Sequence, residues 1–266
     1  MPGMSQPQRV LVTGSAGRVG RAAVKGLTAA GHHVVGFDRV PTPGLPPAQS
    51  LVAPLSDVAA LRAAVADGVD CVIHLAAAPD DAAFPRKPPP DDGDNFLSDL
   101  VPSNLVGPYH VMEAVRTAGV RRVILASTGQ VVDGHLRSDD VPVTATMLPR
   151  PRYLYACTKV FLEALGQVYA TQHGITVLAV RLGWCPRDLG QVAEIRASHL
   201  GQDVFFSPGD VGRFFAAAVG AEKLPQYAVV YAGSRPVHNM RYDLDAPRKL
   251  FGYEPQDQWP TGAEEF

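Results

Sequence analysis

The feature that most narrows the folds open to this chain is a spaced set of three glycines, Gly14-Ser-Ala-Gly17-Arg-Val-Gly20, set between two segments of different periodicity. Before it runs Arg9-Val-Leu-Val-Thr13, apolar without alternation, as a strand covered on both faces must be. After it, Arg18 to Ala30 carries Val19, Ala22, Ala23 and Leu27 at helical spacing and stops at Gly31, a residue suited to a helix C-cap. His33 to Phe37 returns to strand character, and Asp38 follows it, eighteen residues past Gly20. Strand, glycine turn, helix and strand within about thirty residues make one right-handed crossover of a parallel sheet. Glycines at such a turn let the backbone approach a pyrophosphate at the helix N-terminus. A carboxylate ending the second strand accepts hydrogen bonds from an adenosine ribose.

The alternation continues down the chain. Leu51-Val-Ala53 reads as a short third strand, and Ser56-Asp57 opens a helix from Val58 to Val65. Cys71 to Leu75 is a fourth strand, Leu105 to Ala118 a helix stopped by Gly119, and Val123 to Ala126 a fifth strand. A helix from Tyr153 to Gln172, capped at Gly174, leads to a sixth strand at Thr176 to Val180. This order predicts an α/β fold, a doubly wound parallel sheet of the Rossmann class. Residues 1–180 read as the dinucleotide-binding domain and 181–266 as a small C-terminal substrate-binding region. Two proline-rich stretches break the rhythm, Pro41 to Gln49 and Pro79 to Pro102. The second follows the fourth strand at the ligand-binding edge of such a sheet, so it is either a lid or a solvated insertion.

Composition excludes other classes. With 24 basic against 26 acidic residues and no basic block, no nucleic-acid footprint is expected. Cys71, Cys157 and Cys185 lie far apart, which argues against a disulfide framework or a zinc site and for a reducing compartment. No His, Cys, Asp or Glu cluster has metal spacing. His32, His33, His110 and His173 read as structural or solvated, and His74 as a packed strand residue. With no leader-like start and no stretch of membrane-spanning length, a soluble, cytoplasmic protein is expected.

Tyr155-Ala-Cys-Thr-Lys159 sets a tyrosine and a lysine four apart on one helical face. A free phenol titrates near 10, too high for a base at neutral pH; an adjacent ammonium together with a cationic nicotinamide would favour the phenolate. The glycine spacing, with this pair after the fifth strand, resembles the short-chain dehydrogenase/reductase family. Its extended branch, the NAD-dependent epimerase/dehydratase family, is the better match. His74-Leu-Ala-Ala77 resembles that family's segment passing the cofactor after the fourth strand, Asn104-Leu-Val-Gly107 its helix start, and Phe251-Gly-Tyr-Glu-Pro255 its C-terminal signature. The resemblance implies NAD held by Gly14, Gly17, Arg18, Val19, Gly20, Asp38, Arg39, Leu55, Leu75, Ala76, Ala77, Asn104, Tyr155, Lys159 and Leu182. The family's Asp-Leu pair beside the adenine reads Pro54-Leu55 here, which removes a polar contact.

Ala126-Ser-Thr-Gly-Gln130 resembles the family's segment that supplies a catalytic hydroxyl. Alignment implies Thr128 beside Tyr155 and Lys159, with Ser127 as the alternative one residue away. Gly129-Gln130 lacks the carboxylates of the dehydratases. Among small members the resemblance is to uronate dehydrogenases, which oxidise an anomeric carbon to a lactone with NAD. It implies a small-molecule substrate held by Ser127, Thr128, Gln130, Trp184 and an arginine on its carboxylate, Arg196 first and Arg187 second. Trp184, Gly129-Gln130 and Pro79 depart from that subfamily's polar residues, so a bulkier, more apolar pocket is expected. A homodimer through the helices near Leu105 and Tyr155 is implied. Epimerisation with retained cofactor, or dinucleotide sensing without catalysis, remain the alternatives.

Overall fold

The structure, a computed structural model, describes residues 6–79, 95–137 and 141–265. Most of the proline-rich stretch read as a lid or insertion, residues 80–94, lies outside them. The strands are β1 (Arg9–Thr13), β2 (His33–Asp38), β3 (Ser50–Val52), β4 (Cys71–His74), β5 (Arg122–Thr128), β6 (Thr176–Leu182) and β7 (Tyr227–Ala232). All pairings are parallel, in the order β3-β2-β1-β4-β5-β6-β7. The helices are α1 (Arg18–Ala29), α2 (Val58–Ala66), α3 (Gly107–Ala118), α4 (Asp133–Leu136), α5 (Leu154–His173), α6 (Leu189–Arg196), α7 (His199–Asp203), α8 (Pro208–Gly220) and α9 (Asp245–Phe251). A helical segment wound wider than an α-helix, Phe96–Val106, leads into α3.

Alternate residues of each strand feed opposite cores. Val10 and Val12 face the side covered by α1 and α8, where Leu27, Phe214 and Phe215 pack. Leu11 faces the side covered by α2, α3 and α5, among Leu61, Met112 and Leu162. That two-sided burial explains why β1 reads as an unbroken apolar run. On the first side α1 and α8 meet glycine to glycine: a Cβ on Gly26 would lie 2.3 Å from the Gly212 Cα.

Residues beyond 180 do not form a separate body. β6 crosses that boundary, and β7 and α8 complete the sheet and one of its covering layers. The Ser207-Pro-Gly-Asp210 run opens α8 because the Ser207 hydroxyl accepts the Asp210 N–H at 2.9 Å. Asp210, fully buried, then accepts from Arg213 Nε, Ser234 Oγ and the backbone N–H groups of Gln256 and Asp257, fastening the C-terminal segment across α8. Two small elements, α6 and α7, are left to rise beyond the carboxyl ends of β5 and β6.

Candidate active site

β1 and β4 are adjacent but lead to opposite halves of the sheet, so a cleft opens above their carboxyl ends. The cavity there measures about 760 Å³. Gly14, Gly17, Arg18, Val19 and Gly20 form its floor on one side, with Leu75 and Ala77 beside them. The glycines are required by contact as well as conformation. Gly14 has φ +72°, and a Cβ there would lie 2.5 Å from the Ala76 nitrogen; one on Gly20 would lie 2.1 Å from the Gly14 carbonyl oxygen. Gly17 differs: its Cβ would meet only the Gly14 oxygen, at 3.3 Å, leaving its outer side to the cavity. Such a cradle, at the start of α1, fits a dinucleotide pyrophosphate.

Asp38 ends β2 partly exposed, with Oδ2 accepting the Ala16 N–H at 3.0 Å and Oδ1 the Arg39 N–H at 2.6 Å. Oδ2 is thereby tied to the glycine loop, and each oxygen keeps capacity for another donor. Arg39 is exposed. Arg18 donates from Nε to the Cys185 carbonyl at 2.8 Å, tying the glycine loop to the loop after β6.

Three expected cofactor contacts occupy other roles. Asn104 is buried, accepts the Ala78 N–H at 2.8 Å and donates to the Ala78 carbonyl and the Thr158 hydroxyl, so it braces the loop after β4 rather than facing the cavity. Leu55 packs against the start of α3, where a Cβ on Gly107 would lie 2.9 Å from its Cδ1. Ala76 supports Gly14 from below.

Thr128, Tyr155 and Lys159 do converge on the cavity, together with Ser127, Gln130, Leu182 and Trp184. The two hydroxyls of β5 are not equivalent. Ser127 is 2% exposed and donates to Glu163 Oε1 at 2.6 Å, so the alternative catalytic hydroxyl is already committed. Thr128 Oγ1 accepts the Gln130 N–H at 3.3 Å and stands at the cavity wall.

Lys159 is almost fully buried and donates to the Ala126 carbonyl at 2.8 Å, with Nζ 5.5 Å from the Tyr155 ring centre. Burial pulls its ammonium down to about 8. Without the cationic nicotinamide, Lys159 alone does not make Tyr155 a phenolate. Burial pushes the Tyr155 phenol up to about 12, while the guanidinium charges of Arg18 and Arg187 draw it the other way without overcoming burial. Tyr155 is therefore a protonated phenol at neutral pH in the protein by itself. His74 bears out the packed reading: it lies 2.7 Å from the Thr13 hydroxyl, its Nε2 has no partner, and burial, aided by the Lys159 charge, lowers it to about 3.

Arg196 is not in the cleft. Its side chain is 67% exposed and faces Glu264 across 4.0 Å. In α6, Val192 and Ile195 point into the core, which turns the next residue outward and presents Gln191 and Glu194 to the cavity. Arg187, ahead of the Asp188 N-cap, lines the cavity instead and makes no ion pair among the described residues. Trp184 forms another part of this wall, its Nε1 donating to Gln191 at 3.3 Å.

Sequence reasoning missed two features. One is a buried network behind Ser127: Arg181 donates from Nε and Nη2 to the two oxygens of Glu163, each at 2.9 Å, and from Nη1 to Tyr231 Oη. Burial opposes that guanidinium charge, yet the Glu163 contacts hold it protonated, above its usual value. The other is Tyr242, which reaches the cavity from the segment between β7 and α9.

The comparisons agree with this geometry. Residues 10–184 match the model of the NAD dependent epimerase/dehydratase family. An L-arabinose 1-dehydrogenase (NAD(P)(+)) of Haloferax volcanii is 32% identical over 96% of this chain and 99% of its own length. An NAD-dependent glucose-6-phosphate dehydrogenase of the same organism is 30% identical over 96% and 94%. A solved mutated uronate dehydrogenase superposes with a TM-score of 0.72 at 29% identity, over 94% of this chain and 82% of that one. Cradle, Tyr-Lys helix, sheet order and full-length likeness agree: the chain belongs to the NAD-dependent epimerase/dehydratase family, and NAD is its cofactor.

Proposed function

We propose that this enzyme is a monosaccharide dehydrogenase that oxidises the anomeric carbon of a sugar acid, a uronate, to the corresponding lactone. The observation that carries the reading is the convergence of Tyr155, Thr128 and Lys159 on one cavity that also contains the glycine cradle. When bound, NAD supplies the hydride acceptor; Gly14, Gly17 and Gly20 would cradle its pyrophosphate, and Asp38 and Lys159 its riboses.

The chain's own residues handle the proton. Thr128 orients the reacting hydroxyl, and Tyr155 takes its proton. Lys159 holds positive charge behind the phenol, positioned by the Ala126 carbonyl. Because burial outweighs the protein's own cations at Tyr155, the free cleft does not carry a resident phenolate. Arg187, with no ion pair among the described residues, takes the role that the sequence assigned to Arg196 and receives the sugar carboxylate in bidentate fashion. Trp184 supplies an apolar wall. A small substrate suits the C-terminal region, which spends β7 and α8 on the sheet and leaves α6 and α7 as the short elements above it.

The site of action is cytoplasmic in this reading, in keeping with three free cysteines. Exposed Val106 and Tyr109 on and before α3, with Phe161 and Val168 on α5, offer an apolar face to a second copy of the chain, which sedimentation equilibrium would register as a dimer.

The test is incubation with NAD and a panel of D-galacturonate, D-glucuronate, L-arabinose and D-glucose 6-phosphate, following reduced nicotinamide. Uronate turnover above that of L-arabinose supports the reading. Turnover of L-arabinose alone removes the sugar-acid part, and an isomerised sugar without net reduction makes the enzyme an epimerase.

A further inference from the structure

Tyr242 is a polar residue of the cavity for which neither proton transfer nor cofactor binding accounts. Tyr242 is 6% exposed, and its hydroxyl has no hydrogen-bond partner among the described residues although it borders the cavity. Other buried or half-buried tyrosines here are satisfied: Tyr253 donates to the Gly233 carbonyl, Tyr227 to the Glu163 carbonyl, Tyr169 to Glu113, and Tyr231 to the Thr144 carbonyl. The Tyr242 hydroxyl is thus left to whatever occupies the cavity.

Its position is fixed from three sides. The backbone is pinned on both flanks, by the Val143 N–H to the Arg241 carbonyl at 2.9 Å and the Asp243 N–H to the Val143 carbonyl at 3.0 Å. The ring stacks on Tyr231 with centres 5.0 Å apart and planes 13° from parallel, and Tyr231 is itself held by Arg181. The phenol oxygen lies over Gly129, where a Cβ would come within 2.0 Å of it. Glycine at 129 thus leaves the space that the Tyr242 hydroxyl fills, one residue from Thr128.

We infer that Tyr242 is a substrate-positioning and specificity-determining residue, its hydroxyl hydrogen-bonding a sugar ring hydroxyl next to the reacting carbon. A neutral phenol both donates and accepts, which complements an alcohol rather than an anion. Burial keeps Tyr242 neutral, its titration displaced well above the ordinary phenol range. This inference rests on the dehydrogenase reading and adds the substrate group that the reading leaves unassigned.

The experiment is a cycle between enzyme and substrate. Wild type and Tyr242→Phe, both with NAD, are assayed on L-arabinose and 2-deoxy-L-ribose, its 2-deoxy form, and on D-glucose 6-phosphate and 2-deoxy-D-glucose 6-phosphate. The expected result is a KM for the parent sugar raised about five- to tenfold by Tyr242→Phe, with a smaller effect on kcat. The 2-deoxy sugar loses as much with the wild type and is nearly indifferent to the substitution. The melting temperature stays level, because the phenylalanine keeps the stack on Tyr231 and the hydroxyl it drops faces the cavity. An unchanged parent KM, an equal loss on parent and deoxy sugars, or a marked fall in melting temperature overturns the inference. Where the wild type oxidises uronates alone, the same comparison is made on D-galacturonate and its 2-deoxy form; where it oxidises neither these sugars nor a uronate, the dehydrogenase reading fails and the inference falls with it; where it oxidises them and Tyr242→Phe matches it, the inference alone falls.

Discussion

Removing the Glu163 carboxylate should cost more stability than any surface ion pair in the molecule. Arg181 and Glu163 are 3% and 8% exposed, joined by two 2.9 Å hydrogen bonds. Glu163→Leu leaves a guanidinium in the core with only the Tyr231 oxygen to receive it. Breaking one side of such a pair costs about 3–5 kcal/mol, because the remaining charge is buried and uncompensated. For a chain of this size that is a fall of roughly 6–20 °C in melting temperature. The double variant Glu163→Leu/Arg181→Met removes both charges and should recover most of the loss, within about 2 kcal/mol of wild type, the remainder belonging to the Ser127 and Tyr231 hydroxyls. Urea unfolding followed by circular dichroism gives the free energies. Ser127 donates to the same carboxylate and precedes Thr128, so kcat should fall in the single variant as well. A loss under about 1 kcal/mol for Glu163→Leu, or a double variant no more stable than the single one, would refute the reasoning that this is one coupled buried unit.

The other expected outcomes concern charge. Arg187→Ala should raise the KM for a uronate by one to two powers of ten, about 1.5–3 kcal/mol for a charged hydrogen bond, while Arg196→Ala, at the surface beside Glu264, leaves it unchanged in steady-state assays. Asp38→Ser should narrow the preference for NAD over NADP by at least tenfold in titration, since the carboxylate otherwise faces a 2′-phosphate of like charge. His74 titrates near 3 when folded against an ordinary 6.5, so the unfolded chain binds the extra proton between those values. Its contribution to stability is complete above about pH 6.5 and drains as pH falls toward 3, at up to about 1.4 kcal/mol per pH unit. Urea titrations at several pH values should give His74→Gln a shallower acid slope by one proton, and an identical slope would remove His74 from the account.

The half of the fold that was legible in the sequence is the half where local signals coincide. β1, the glycine turn, α1 and Asp38 are consecutive, and each imposes its own conformation. Ser207-Pro-Gly-Asp210 is a signal of the same local kind, a cap written in four residues that opens α8. β7 carries a strand signal of its own, the apolar run Tyr227–Ala232 between Pro225 and Gly233, but its place at the sheet edge comes only from pairing with β6. Arg196 was implied by resemblance along the chain, whereas α6 decides by rotation, and the inward Ile195 commits its neighbour to solvent. Asn104 was read as touching the cofactor when it acts one step behind, on the Ala78 backbone. Tyr242 had no local signal at all, since its place depends on a segment after β7 returning over the end of β5.

In the proposed reading Tyr155 moves the proton of a sugar hydroxyl, while the glycine cradle and Asp38 carry most of the cofactor's binding in the same cleft. Its most direct test is a pair of measurements on Tyr155→Phe: NAD affinity by calorimetry and steady-state reduction of the nicotinamide with the best sugar of the panel. The account predicts an NAD dissociation constant within about threefold of wild type and a kcat lowered by at least 10²-fold, as expected when general-base proton transfer alone is lost. Near-normal turnover in the phenylalanine variant would contradict it.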